Sequence, residues 1–169
     1  MNVLTKITWL VFFLNIVCVS PQLVAHELKA TTAQVILRDG QVEVKVYTNT
    51  THLISALQSE QAWLMGDIDE IMPENLTAAE LKNYIKKALT QKMELRINKQ
   101  TLSFARVDVT PIDGTDVHDL AIVFQAKHGF SNIDELALSF PKALGTVHAN
   151  FVKPQYQLLS PGDTAHITF

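Results

Sequence analysis

Apolar positions in this chain fall into three patterns: one near-continuous run, a series of period-two alternations, and one stripe at helical spacing. The run comes first. Residues 7–19 are apolar apart from Thr8 and Asn15, with Lys6 before them and Ser20-Pro21 and then Ala25 after them. A charged start, an apolar core and a small residue at the end form the pattern of a secretory leader. The core is shorter than the roughly 20 residues that a membrane span needs. The expectation is a signal peptide over residues 1–25, cleaved after Ala25 so that His26 stands first. Leu23 is larger than the alanine usual three positions before a cleavage point, which leaves neighbouring points open. A retained anchor is the alternative.

The alternations begin at Thr31–Arg38, where Ala33, Val35 and Leu37 share a face and Ile36 is the odd apolar residue on the other. Asp39-Gly40 reads as a two-residue turn, since glycine takes positive φ freely. Residues 41–48 then set Val42, Val44 and Val46 against Glu43, Lys45 and Tyr47. This is an antiparallel hairpin with one face to a core and the other to water. Residues 52–57 and 61–65 are irregular. Leu53, Ile54, Leu57, Trp63, Leu64 and Met65 read there as core bulk, in a short strand and a turn of helix.

Helical spacing is clear only over residues 76–93. Thr77 and Glu80 make a capping box, and Leu76 and Leu81 a hydrophobic staple. Leu81, Tyr84, Ile85, Ala88 and Leu89 form the stripe. Lys82, Lys86, Lys87 and Lys92 suit the C-terminal end of the helix dipole. A lysine-rich face suggests a membrane surface, but the stripe is narrow and packing on a sheet is the plainer reading; as an interaction module, the same lysines would meet an acidic partner.

Further strands are expected over residues 94–98, 101–109, 136–140, 146–153 and 164–169, with a turn at Lys99-Gln100. Residues 117–126 are apolar on both parities, which predicts a central strand covered on both faces. About eight strands and one helix, without internal repeat, predict a mainly β fold. The expected architecture is an immunoglobulin-like antiparallel β-sandwich with one inserted α-helix, a single domain over residues 26–169. A single helix cannot serve repeated parallel crossovers, which argues against a doubly wound sheet.

Composition narrows the function. Cys18, the one cysteine, lies in the leader. Val17 before it is not the small residue that lipidation favours. The mature chain would hold no disulfide although the compartment, periplasmic or secreted, is one that permits them. The formal net charge of −3 becomes one unit more negative when Lys6 leaves. No basic run supports a nucleic-acid partner. Asp67-x-Asp69 resembles the start of a calcium loop, but Ile71 stands at the third ligand position and Met72 where a glycine is required. Residues 66–75 are therefore expected to be an acidic surface loop. There is no G-x-S-x-G elbow, no glycine-rich phosphate loop and no dinucleotide signature. A non-catalytic protein is the expectation.

One chemical candidate remains. A histidine at a free N-terminus offers its amine and a ring nitrogen together, and with a further imidazole these suit Cu(II). His26 would be that residue. His148 and His166 occupy the outward parity of late strands, so neighbouring strands would let both rings project from one surface. His118 precedes Asp119, a carboxylate able to orient its ring. His52 and His128 complete the set. The metal candidates are His26, His148, His166 and His118, with copper or another transition metal as cofactor.

Ala25-His26-Glu27-Leu28, followed by a strand, Asp39-Gly40 and a second strand, resembles the start of the extracytoplasmic domain of HupE/UreJ-like membrane proteins. Leu76-Thr77-Ala78-Ala79-Glu80-Leu81 and the run from Val147-His148-Ala149 through Ser160-Pro161 are similar to later parts of that domain. Those proteins are associated by family name with nickel transport or with hydrogenase and urease accessory roles. The transmembrane helices that follow in them are not found up to Phe169. The resemblance thus implies a freestanding accessory or binding component, with a membrane transport or envelope protein as partner. A looser resemblance, carried by His26 and the expected fold, is to periplasmic copper-binding sandwiches of the CopC type. The competing expectation is a structural or protein-interaction module whose edge strands accept a partner strand.

Overall fold

A computed structural model of the chain describes residues 30–112, 119–154, 161 and 164. The architecture is mixed α/β, with two sheets and helices. The first hairpin forms as its pattern predicts: β1 (Thr31–Arg38) and β2 (Gln41–Asn49) pair antiparallel, with Arg38 opposite Gln41 around the Asp39-Gly40 turn. Gly40 takes φ +74°, the value the turn needs.

The next segment differs from expectation in part. The expected short strand is instead a helix, α1 (Thr50–Leu57), while the expected turn of helix forms as α2 (Glu60–Leu64). Asn49 caps α1 by accepting from the His52 amide at 3.1 Å, and Leu53 and Leu57, four apart, bury its inner face. α3 (Ala78–Lys92) has the expected capping box, and buries Ile85 and Leu89. Glu80 sits below the usual carboxylate range because the Thr77 hydroxyl, and then the Thr77 amide, hydrogen-bond to it.

Residues 101–109, expected as one strand, divide between two sheets. β3 (Glu94–Ile97) is the middle strand of a three-stranded antiparallel sheet, flanked by β4 (Gln100–Leu102) and β7 (Leu136–Ser139). β5 (Phe104–Pro111) instead joins β6 (Asp119–Lys127) in the larger sheet, ordered β5-β6-β2-β1-β8. A register irregularity between Phe104 and Arg106 accommodates the change of sheet. β8 (Val147–Val152) lies parallel to β1, and the other pairings are antiparallel. A short 3-10 helix, Lys142–Leu144, leads into β8.

One buried cluster draws on both sheets and on the helices: Val35, Val44, Leu95, Ile97, Ile122 and Phe124 from strands, Leu53, Leu57, Ile85 and Leu89 from helices. β6 takes an interior place in its sheet as expected, but only one face is fully covered. Leu120, Ile122, Phe124 and Ala126 are buried, whereas Ala121 and Val123 on the other parity are half-buried. Among the described residues no helix is long and apolar enough to cross a membrane.

Candidate functional site

Trp63, Leu64 and Met65 are 48, 75 and 69 % exposed, against the expectation that they fill the core. Single exposed apolar residues are ordinary on protein surfaces, but three in succession on one turn are not. The local sequence explains the exposure. Ser59 caps α2 by accepting from the Ala62 amide at 3.2 Å, and Gly66 at φ +73° ends the turn. On so short a helix three consecutive side chains fan out at about 100° steps and cannot all reach the core.

The segment after this knuckle is firmly tied down. The Asp67 amide donates to the Ala62 carbonyl at 2.9 Å, and the Met72 amide to the Leu57 carbonyl at 2.9 Å. Ile68 and Met72 are buried. Each carboxylate over residues 67–70 faces a lysine: Asp67 with Lys142 at 2.6 Å, Asp69 with Lys92 at 2.6 Å, Glu70 with Lys87 at 3.3 Å. Lys92 also reaches the Gly66 carbonyl at 3.3 Å. Tyr84 donates its hydroxyl to the Glu70 carbonyl, and burial, followed by the Glu70 charge, pushes its phenol up. The acidic loop is thus a brace whose carboxylates are each paired with a lysine. Two of the lysines expected to face an acidic partner already face this loop.

A second polar cluster lies on the outward face of the large sheet. Glu43 is 7 % exposed. It accepts from the Gln125 amide nitrogen at 2.8 Å and lies 3.4 Å from Lys45 and 3.6 Å from Arg38. Burial pushes its carboxyl up, but the Gln125 hydrogen bond and the two cations outweigh this and hold it below the usual range. A carboxylate held ionised in this way suits cross-linking three strands better than proton transfer.

The histidines are spread. His148 is exposed on β8, opposite Thr32 of β1. His52 lies on α1, and its ring carbon is 3.3 Å from where a β-carbon on Gly145 would stand. His128 follows β6, with Nε2 3.1 Å from the Arg38 carbonyl oxygen and its ring 6.0 Å from that of Phe130. Its Nδ1 is buried without a partner. His26, His118 and His166 lie outside the described residues, as do the proposed leader and residues 165–169 of the expected last strand. Among the described residues no three His, Cys, Asp or Glu side chains gather as a metal site.

Two surface depressions accompany these features. One, with about 250 Å³ of empty volume, is lined by Ile68, Asp69, Glu70, Tyr84 and Lys87. The other, about 240 Å³, is lined by Glu94, Arg96, Ala137, Leu138 and Ser139. Much of that space is open solvent: room for a ligand is about 10 Å³ in the first and 80 Å³ in the second, far below the roughly 300–1,000 Å³ typical of small-molecule sites. The chain matches no protein-family model, no curated protein and no solved structure. The Trp63 knuckle is the feature the sequence reading missed. Its signal was there: a capping serine and a glycine only seven positions apart leave too little helix to bury a Trp-Leu-Met run.

Proposed function

We propose that this chain is an exported, non-catalytic accessory protein of the cell envelope that works by docking onto another protein through Trp63, Leu64 and Met65. The observation that carries this reading is their joint exposure on a turn braced from both sides. Tryptophan is enriched among residues that dominate interface energies, and methionine adapts its shape to irregular partners. Bracing lowers the entropy lost on binding. The leader pattern of residues 1–25 supports export to the periplasm or beyond. The shared buried cluster supports an immunoglobulin-like sandwich as the finer description of the two sheets.

The test is a photo-reactive residue at position 64 in cells producing the full chain. A discrete adduct with an envelope protein, lost when Trp63→Asp is added, is the expected result. No adduct, or the same adducts from a probe on α3 at Lys82, overturns the reading.

A copper-binding role for His26, with His148, His166 and His118 as further donors, is the second reading. It is favoured by the exposed placement of His148 on the outward face. Calorimetry with Cu(II) tests it, on protein whose first residue mass spectrometry shows to be His26. Saturable heat that falls on His148→Ala supports it, and absence of heat ends it.

A further inference from the structure

We propose that Met65 is a modification site, oxidised by a hydroperoxide to its sulfoxide, and that this oxidation switches off docking at the knuckle. The switch rests on the docking reading above; the site itself does not. Beyond the proposed leader the chain holds three methionines, Met65, Met72 and Met93, and no cysteine. All of its sulfur is therefore thioether. Met65 is 69 % exposed, whereas Met72 and Met93 are 3 and 5 % exposed. Oxidation follows access, and a buried sulfur must wait for the structure around it to open.

The backbone holds this difference in place. The Met65 amide donates to the Gln61 carbonyl at 3.0 Å, and the Gly66 amide to the Trp63 carbonyl at 3.0 Å. Met65 thus closes α2 on a fixed turn with its side chain in solvent. Met72 is tied inward by its amide bond to the Leu57 carbonyl, and with Met93 it belongs to the buried cluster. Oxidant meets the knuckle before it meets the core. Export, as proposed above, also carries the chain away from the thiol pool that keeps the cytosol reduced.

The step balances with one peroxide. A lone pair on the Met65 sulfur attacks one peroxide oxygen, an S–O bond forms and the O–O bond breaks. After proton transfer the second oxygen leaves as water. The sulfur gives up two electrons and the peroxide takes them. The product replaces an apolar, adaptable side chain by a polar one with a strong acceptor oxygen. At an interface built on Trp63, Leu64 and Met65, that oxygen would be buried without a donor to meet it.

The test treats the folded, full mature chain with hydrogen peroxide and maps the sulfoxides by peptide mass spectrometry. Met65 is expected to oxidise at least about tenfold faster than Met72 and Met93, with the melting temperature unchanged. Photo-crosslinking from position 64 should then fall at least about tenfold, the cost of one unmatched polar group. Methionine sulfoxide reductases with a dithiol should restore the adduct. Met65→Leu should crosslink equally well with and without peroxide. Oxidation of Met72 or Met93 at the rate of Met65 overturns the inference and leaves docking standing. So does an adduct that survives Met65 oxidation, or one lost from Met65→Leu on peroxide treatment. No adduct even before oxidation fails the docking reading and takes the switch with it.

Discussion

Glu43 shows how one residue couples charge to fold. Its period-two position predicted a solvent-facing side chain, and its face is as predicted. Its burial was not legible, because that depends on Gln125, more than eighty residues away. Its folded-state pKa lies below the ordinary 4.5. The stabilisation it provides is therefore complete above that value and is lost as pH falls through the lower, folded value. Denaturation from pH 7 down to pH 3 should show falling stability below about 4.5, with a smaller fall in Glu43→Gln. Gly145 is a second case. It takes φ +66°, and an added β-carbon would meet the His52 ring at 3.3 Å. At ψ −146° this backbone lies in a region nearly confined to glycine, so Gly145→Ala should cost about 1–3 kcal/mol in urea unfolding, with the slope unchanged. At Asn98-Lys99 the sequence reading placed the turn one residue late. Both residues have positive φ, and the Asn98 side chain accepts from the amides of Asp134 and Glu135. That second role fixes the turn and is invisible without the 130–135 loop.

At the scale of elements, strong local patterns were readable and tertiary assignments were not. The hairpin and α3 formed where alternation and capping placed them. Residues 101–109 alternate acceptably throughout, yet Ser103 separates strands that pair with β3 on one side and β6 on the other. Period alone cannot name a partner. The signal for α1 lies in Leu53 and Leu57, at helical spacing behind the capping Asn49. In the acidic loop Asp67, Asp69 and Glu70 each pair with a lysine, contacts that the sequence around residues 66–75 does not name. Millimolar calcium should leave the melting temperature where magnesium leaves it, and a rise specific to calcium would contradict the brace. Trp63 is the one tryptophan beyond the proposed leader. Its emission should be red-shifted and readily quenched by acrylamide in the folded protein, in keeping with 48 % exposure.

For the whole molecule, stability and proposed function separate in space. One buried cluster draws on both sheets and on the helices, whereas Trp63, Leu64 and Met65 stand outside it. Substitution at the knuckle should then leave folding intact, since surface changes typically fall within about 0.5 kcal/mol. Leu64→Asp should keep the wild-type melting temperature. Core truncation at Phe124 should cost about 3–5 kcal/mol. The measurement that bears most directly on the docking reading is photo-crosslinking from position 64 in intact cells, compared with position 82 on α3. The account predicts a discrete adduct from position 64 alone, removed by Trp63→Asp in a protein that still melts normally. Equal or absent crosslinking from the two positions would contradict it.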